Sequence, residues 1–345
     1  MGYSLNAVQA EAVLQALKQN YSVYAPKRFP KQGRYSDTDV IKYAEVEHYE
    51  DIVWQVKSDY PAKEVLTPIQ QAIFYFTEDE YRASKGPKKP ILILARPCDI
   101  NAQHVQAKIY AGNGGYTDLY YERMREKVKF ALMECNGGDD TCFCVSMGTN
   151  KTDDYSLALK FSDEGVQVQV TDETFAPYFE GMPQAGYTPA FVEENELKVT
   201  VPDLDDKAVR LALKSHPMWK EFDGRCISCG ACTVACSTCT CFTTRDVIYG
   251  DNPEVGERRR ITASCQIAGF DQMAGQREFR STAGERMRYK VLHKFHDYKA
   301  RFGDQHMCVG CGRCTHRCPE LISISATVNK VNAAVNEIKA GLAQQ

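Results

Sequence analysis

The chain has 345 residues, 43% hydrophobic and 25% charged, with a formal net charge of −3. That is length enough for two cores, and the near-balance of charge excludes a general pull toward nucleic acid or anionic lipid. The longest strongly apolar run, residues 90–95, falls far short of the roughly 20 residues of a membrane-spanning helix, and the first residues lack a basic-then-apolar signal pattern. A cytoplasmic chain with no membrane span is the expectation.

In chain order, Asn6–Gln19 carries Val8, Ala12, Val13 and Leu17 on a loose helical stripe, and Pro68–Thr77 reads as a second helix with proline in its first turn. Ile91–Ala95, Lys129–Glu134, Val166–Thr171 and Leu197–Val201 read as strands. Asp203–Phe222 reads as a helix capped by Asp203, with Val209, Leu213 and Trp219 toward one side. Near Asp223 the texture changes. The segment from there to Pro319 holds 11 of the 15 cysteines, and Ala283–Phe302 and Ala326–Leu342 have helical composition. The expected class is α+β: a mixed α/β domain over residues 1–220, then an α-helical ferredoxin-like two-cluster domain over residues 221–345. The glycines of residues 111–116 neither follow a strand nor open a helix, so no dinucleotide fingerprint is present and no flavin or nicotinamide site is expected.

Fifteen cysteines without a secretory pattern point to metal binding rather than to a disulfide framework. Cys226, Cys229, Cys232 and Cys236 form one Cys-x2-Cys-x2-Cys-x3-Cys run; Cys308, Cys311, Cys314 and Cys318, followed by Pro319, form a second. Three thiolates two residues apart on a tight loop can wrap three corners of one cubane, with Gly230, Gly310 and Gly312 allowing the close turns. The fourth cysteine is then directed at the other cluster. The spacing therefore predicts two [4Fe-4S] clusters. Cys226, Cys229, Cys232 and Cys318 hold cluster I; Cys308, Cys311, Cys314 and Cys236 hold cluster II. The alternative is a zinc-bound structural protein, although zinc motifs normally use paired rather than fourfold cysteines. Cys-x5-Cys and Cys-x3-Cys spacings typical of sirohaem reductases are also present, but every ferredoxin motif contains both.

About 70 residues separate the motifs, helical in texture and basic over residues 256–302. Arg258, Arg259, Arg260, Arg277, Arg280, Arg286 and Arg288 are expected to offset cluster charge, face an acidic partner, or sit on a solvated helix face. Upstream, Cys98 and Cys135 each follow a predicted strand, and Cys142 and Cys144 follow in a Gly/Asp-rich loop. These four are expected to hold a third metal site, an additional [4Fe-4S] cluster or zinc, with Asp99 as an alternative ligand. Cys239, Cys241 and Cys265 have three readings: packing residues, alternative ligands, or contacts to a partner's cofactor. His293 and His296 read as surface or interface residues, and His316 as a group that tunes the second motif. No catalytic residue set is visible.

Several stretches resemble the 4Fe-4S dicluster subunit of anaerobic sulfite reductase: Gly33-Arg34-Tyr35-Ser36-Asp37-Thr38-Asp39, Arg96-Pro97-Cys98-Asp99, Glu134-Cys135-Asn136 through Cys144, Cys236 through Phe242, Ser264-Cys265, His293-Lys294-Phe295 and Cys308 through Cys314. The beta subunit of cytosolic sulfhydrogenases has a related architecture. Ser237 stands where the family commonly has proline. The resemblance implies a non-catalytic relay subunit in a hetero-oligomer. A flavin-containing subunit would oxidise NADH, and a sirohaem subunit would reduce sulfite to sulfide. The alternative it implies is an electron-transfer subunit of a nickel–iron (sulf)hydrogenase.

Overall fold

The computed structural model of the chain describes residues 1–303 and 305–344. Strands β1 (Gly2–Leu5), β2 (Ser22–Phe29), β3 (Val40–Glu45), β6 (Ile91–Ala95), β7 (Val128–Met133), β8 (Leu157–Ser162) and β9 (Gly165–Val170) form one sheet in the order β1-β9-β8-β7-β6-β2-β3. Its centre, β2-β6-β7-β8, is parallel, and its edges are antiparallel. All five residues of β6 are buried, as a strand covered on both faces requires. One cover is the helix Ala7–Asn20, fixed by a capping box between Asn6 and Gln9 and packed through Ala10, Val13, Leu14 and Leu17. Val8, expected on that stripe, is exposed. The other face packs against the helix Pro97–Gly112 through Ile100 and Tyr110. The fold is α+β.

Strands β4 (Gln70–Phe76), β5 (Tyr81–Ala83), β10 (Phe242–Ile248) and β11 (Gly256–Thr262) form a second sheet, ordered β10-β11-β4-β5. This corrects two expectations. Pro68–Thr77 is a strand rather than a helix: Ile73, Phe74, Tyr75 and Phe76 suit a pleated surface, and β11 supplies the partner edge. The segment between the cysteine motifs is likewise not wholly helical, because its first half is the β10–β11 hairpin. The hairpin's three consecutive arginines are ion-paired: Arg258 grips Asp246 at 2.7 and 2.8 Å and Arg259 pairs with Glu257 within the sheet, and Arg260 reaches Asp118 outside it at 2.5 Å. The second sheet draws two strands from each side of residue 220.

Two further elements differ. Leu197–Val201 forms no strand; Val199 N–H donates to the Ser146 hydroxyl and Thr200 N–H to the Asn329 side chain, so side chains replace a ladder. The expected helix at Asp203 begins at Lys207 with Asp206 as its cap, while Asp203 pairs with Lys339. It ends at Lys214 and is followed by the short turns Pro217–Lys220 and Glu221–Arg225. The helical run from Ala283 to Phe302 is continuous, with a wider π-type turn at His293–Asp297. The last helix, Ile324–Leu342, packs through Val328, Val331 and Val335 into a core that also holds Phe143, Trp219 and Val291. None of the helices among the described residues is long and apolar enough to cross a membrane.

Candidate metal centre

The two motif loops have the same local construction. In each, a glycine in the left-handed region, Gly230 (φ +78°) or Gly312 (φ +71°), starts one short helical turn, Ala231–Val234 or Arg313–His316. The turns fold the three closely spaced thiols of each run inward. Gly310 N–H lies 3.5 Å from Cys308 Sγ, an amide aimed at sulfur. One cavity is lined by Cys226, Cys229, Cys232 and Cys318, with Cys314 at its inner wall. A second is lined by Cys308, Cys311, Cys314 and Cys236. The geometry thus brings together each set of four that the spacing pairs across the two motifs. Cys229 is the exposed member of the array; Cys236, Cys311 and Cys318 are buried.

Buried cations face these thiols. Lys294, 3% exposed, donates from Nζ to Cys236 Sγ at 3.3 Å and to the Thr238 hydroxyl at 3.1 Å. Lys290 donates to the Cys232 carbonyl at 3.2 Å, and Lys63 to the Cys239 carbonyl at 3.1 Å. None of these partners is a carboxylate. A buried ammonium without a counter-charge is expensive, and here the anionic groups facing Lys294 are sulfurs. Burial acts to lower the Lys294 pKa, yet the charges of Cys236, Cys239 and Cys308 outweigh it and hold it well above the ordinary lysine value. Hydrogen bonding from Cys239, helped by Lys294, holds Cys236 well below the ordinary thiol range, whereas burial pushes Cys308 up to about 12. Removing protons from several buried thiols at once needs a cationic partner, which suits an anionic iron–sulfur cluster. The donor set and its buried cations fit such a group. Among the described residues no three His, Cys, Asp or Glu side chains converge on one point as a single ion would require; the thiols stand around cavities instead.

Sheet register makes the N-terminal cysteines neighbours. β6 and β7 are parallel neighbours with Ala95 opposite Leu132, so Cys98 and Cys135 emerge side by side at their carboxyl ends. The loop after β7 carries Cys142 and Cys144 back toward them. Cys144 interacts electrostatically with Cys142 and Cys135, and Cys98 with Cys144. Burial raises the Cys144 thiol to about 11. Asp99, the expected alternative ligand, is held by other groups. Both its oxygens engage Arg313 at 2.7 Å, each residue being 1% exposed, and Tyr43 donates to it as well.

This group of four abuts the second motif. Phe143 N–H donates to the Gly310 carbonyl at 2.8 Å, and the Thr149 hydroxyl to the Val309 carbonyl at 2.7 Å. A side chain on Gly310 would press within 2.6 Å of the Phe143 carbonyl, so the loops touch backbone to backbone. Lys57 spans the joint, 3.6 Å from Cys142 Sγ and 3.0 Å from the Cys311 carbonyl, with Asp139 at 3.1 Å on its other side. Cys98 and Cys142 each interact electrostatically with Cys311. The two cavities therefore share Cys314 and Lys290, and Cys311 and Lys57 stand between the second cavity and the N-terminal cysteines.

Sequence reasoning misses the lysines. Lys290 and Lys294 lie four apart on a basic helix, a pattern usually solvated, and only their contacts distinguish them. Of the arginines, Arg286 alone among those singled out touches a motif loop, donating to the Ser228 hydroxyl at 2.9 Å and to the Gln266 carbonyl at 3.2 Å. His293 and His296 line an open cleft, and His316 stands 4.0 Å from Asp59.

Residues 225–322 match the family model of the 4Fe-4S dicluster domain. The chain is also similar to sulfhydrogenase 2 subunit beta of Pyrococcus furiosus, with 26% identity over 340 residues, covering 91% of this chain and 93% of that protein. No solved structure matches. Together with the thiol geometry, these findings identify an iron–sulfur electron-transfer chain that binds [4Fe-4S] clusters.

Proposed function

We propose that this chain is the iron–sulfur relay subunit of a cytoplasmic, NADH-dependent anaerobic sulfite reductase. A flavoprotein subunit oxidises NADH and delivers electrons to it, and a sirohaem subunit withdraws them to reduce sulfite to sulfide. Two [4Fe-4S] clusters occupy the ligand sets Cys226/Cys229/Cys232/Cys318 and Cys308/Cys311/Cys314/Cys236 of a domain spanning residues 221–345. A third occupies Cys98/Cys135/Cys142/Cys144 in residues 1–220. When bound, such clusters accept and release single electrons. The protein's own residues hold them at shared walls, shield them from water, and balance their charge with Lys57, Lys290 and Lys294. The observation that carries the relay reading is this contiguity, from exposed Cys229 through Cys314 and Cys311 to Cys98 and, through Cys144, to Cys135. The sulfite reading draws on the motif resemblance across both halves of the sequence.

A second reading, the electron-transfer subunit of a cytosolic nickel–iron sulfhydrogenase, is favoured by the Pyrococcus relative. Anaerobic affinity purification from the native cell separates the two. Co-purified sirohaem and sulfite-dependent NADH oxidation support the first; nickel and hydrogen-dependent dye reduction in their place support the second. Changing Cys142 and Cys144 together to Ser is expected to remove about four irons per chain and leave the dicluster signals intact. An unchanged iron count in that variant refutes these two ligands.

A further inference from the structure

Twelve of the fifteen cysteines are used by the three sets of four. The three left over, Cys239, Cys241 and Cys265, flank the base of the β10–β11 hairpin. Cys239 and Cys241 lie in the stretch from Cys236 into β10, and Cys265 lies just beyond β11. The β10–β11 register pairs Phe242 with Thr262, and Ala263 N–H donates to the Cys241 carbonyl at 2.9 Å, closing the base of the hairpin. That closure brings Cys241 and Cys265 close enough to interact, while Cys239 interacts electrostatically with Cys241 on one side and Cys236 on the other.

Their surroundings are not those of packing residues. Cysteine used as a small hydrophobe sits among apolar neighbours. Here the buried ammonium of Lys294 interacts with all three thiols, and that of Lys290 with Cys239 and Cys265. Gln266, 1% exposed, directs its amide Nε2 at Cys265 Sγ at 3.6 Å. Such N–H···S contacts and buried cations are the features that adjust metal-bound thiolates. On its outer side the group opens at Cys241 into a cleft of about 680 Å³ walled by Tyr289, His293, His296 and Arg301.

We propose that Cys239, Cys241 and Cys265 bind a fourth iron–sulfur cluster, a four-iron cubane held by three thiolates, whose remaining iron takes a non-cysteine ligand at the cleft. The proposal rests on the relay reading and extends it: an electron reaching Cys236 has a branch toward the cleft as well as the path toward Cys135. It also accounts for the cysteine count, since three sets of four and one set of three exhaust the fifteen.

An iron without a thiolate is the first to leave when a cubane is oxidised. The test is therefore brief ferricyanide treatment of the anaerobically purified full chain, followed by electron paramagnetic resonance and iron and sulfide quantitation. The expected result is an oxidised three-iron signal in the wild type. In Cys265→Ser that signal is lost and about four irons per chain disappear, with the dicluster signals retained. Cys239→Ala gives the same loss and guards against a folding defect particular to position 265. Overturning results are a wild-type chain with dicluster signals but no three-iron signal, or a signal and iron count that both variants leave unchanged. A wild-type chain without iron overturns this proposal and the relay reading together.

Discussion

Cys308, Cys311 and Cys314 lie on one loop, while Cys98, Cys135, Cys142 and Cys144 arrive from two strand ends and a returning loop. The first arrangement carries its geometry in its own backbone, with Gly310 and Gly312 setting the turns. The second exists only once β6 and β7 have paired and the loop after β7 has docked on the second motif. Local construction makes a ligand set legible; assembled construction makes it dependent on the fold around it. The two are joined by the Arg313–Asp99 pair, by the Gly310–Phe143 contact and by Lys57, so disturbing these joints should damage the assembled site more than the local one.

The largest effect is expected at the buried ion pair. Asp99→Ala leaves Arg313 charged and without its counter-charge in the interior, a change that typically costs about 3–5 kcal/mol. It should appear as a clear fall in the thermal unfolding midpoint, with third-site iron lost before dicluster iron. Combining it with Arg313→Met removes the stranded charge, so the double variant should be more stable than Asp99→Ala alone. Equal or lower stability of the double variant would mean that the pair does not act as a unit.

Gly310→Ala comes next. It places a methyl group against the Phe143 carbonyl at a backbone angle that favours glycine, φ +64°. Overpacking of this kind costs about 1–3 kcal/mol and should push the two loops apart. The expected readout is a weakened magnetic interaction between the second motif's cluster and the N-terminal site, with dicluster iron kept.

The smallest effects are electrostatic. Lys294→Met removes a buried positive charge beside Cys236, which disfavours the more negative reduced state. The nearby midpoint potential should fall, on the order of 100 mV for a charge a few ångströms away at an effective dielectric near 20. Lys57→Met should shift the third site in the same direction by less, because Asp139 already offsets Lys57 at 3.1 Å. Redox titration of both variants checks the order. A larger shift from Lys57→Met would contradict the assignment of Lys294 as the unoffset charge.

The legibility of the sequence follows the same division. The grouping of the eight motif cysteines around two cavities is readable because it follows from their spacing, and the five-residue run of β6 because a doubly covered strand is apolar throughout. Cys98 and Cys135 stand out only as cysteines at strand ends; their adjacency depends on a register between strands far apart in the chain. Pro68–Thr77 reads as helix because its proline suggests a helix start, whereas Phe74, Tyr75 and Phe76 find their partner strand only in β11. Leu197–Val201 alternates like a strand, yet Ser146 and Asn329 take its backbone donors. Lys290 and Lys294 look like a solvated face because nothing local marks a lysine as buried against sulfur.

The most direct test of the central claim is anaerobic purification of the wild-type chain, with iron and sulfide quantitation and electron paramagnetic resonance during stepwise reduction. The relay account predicts two interacting cubane signals from the dicluster segment and a further signal that disappears when Cys142 and Cys144 are changed to Ser. A colourless chain containing zinc, without iron or labile sulfide, would contradict it.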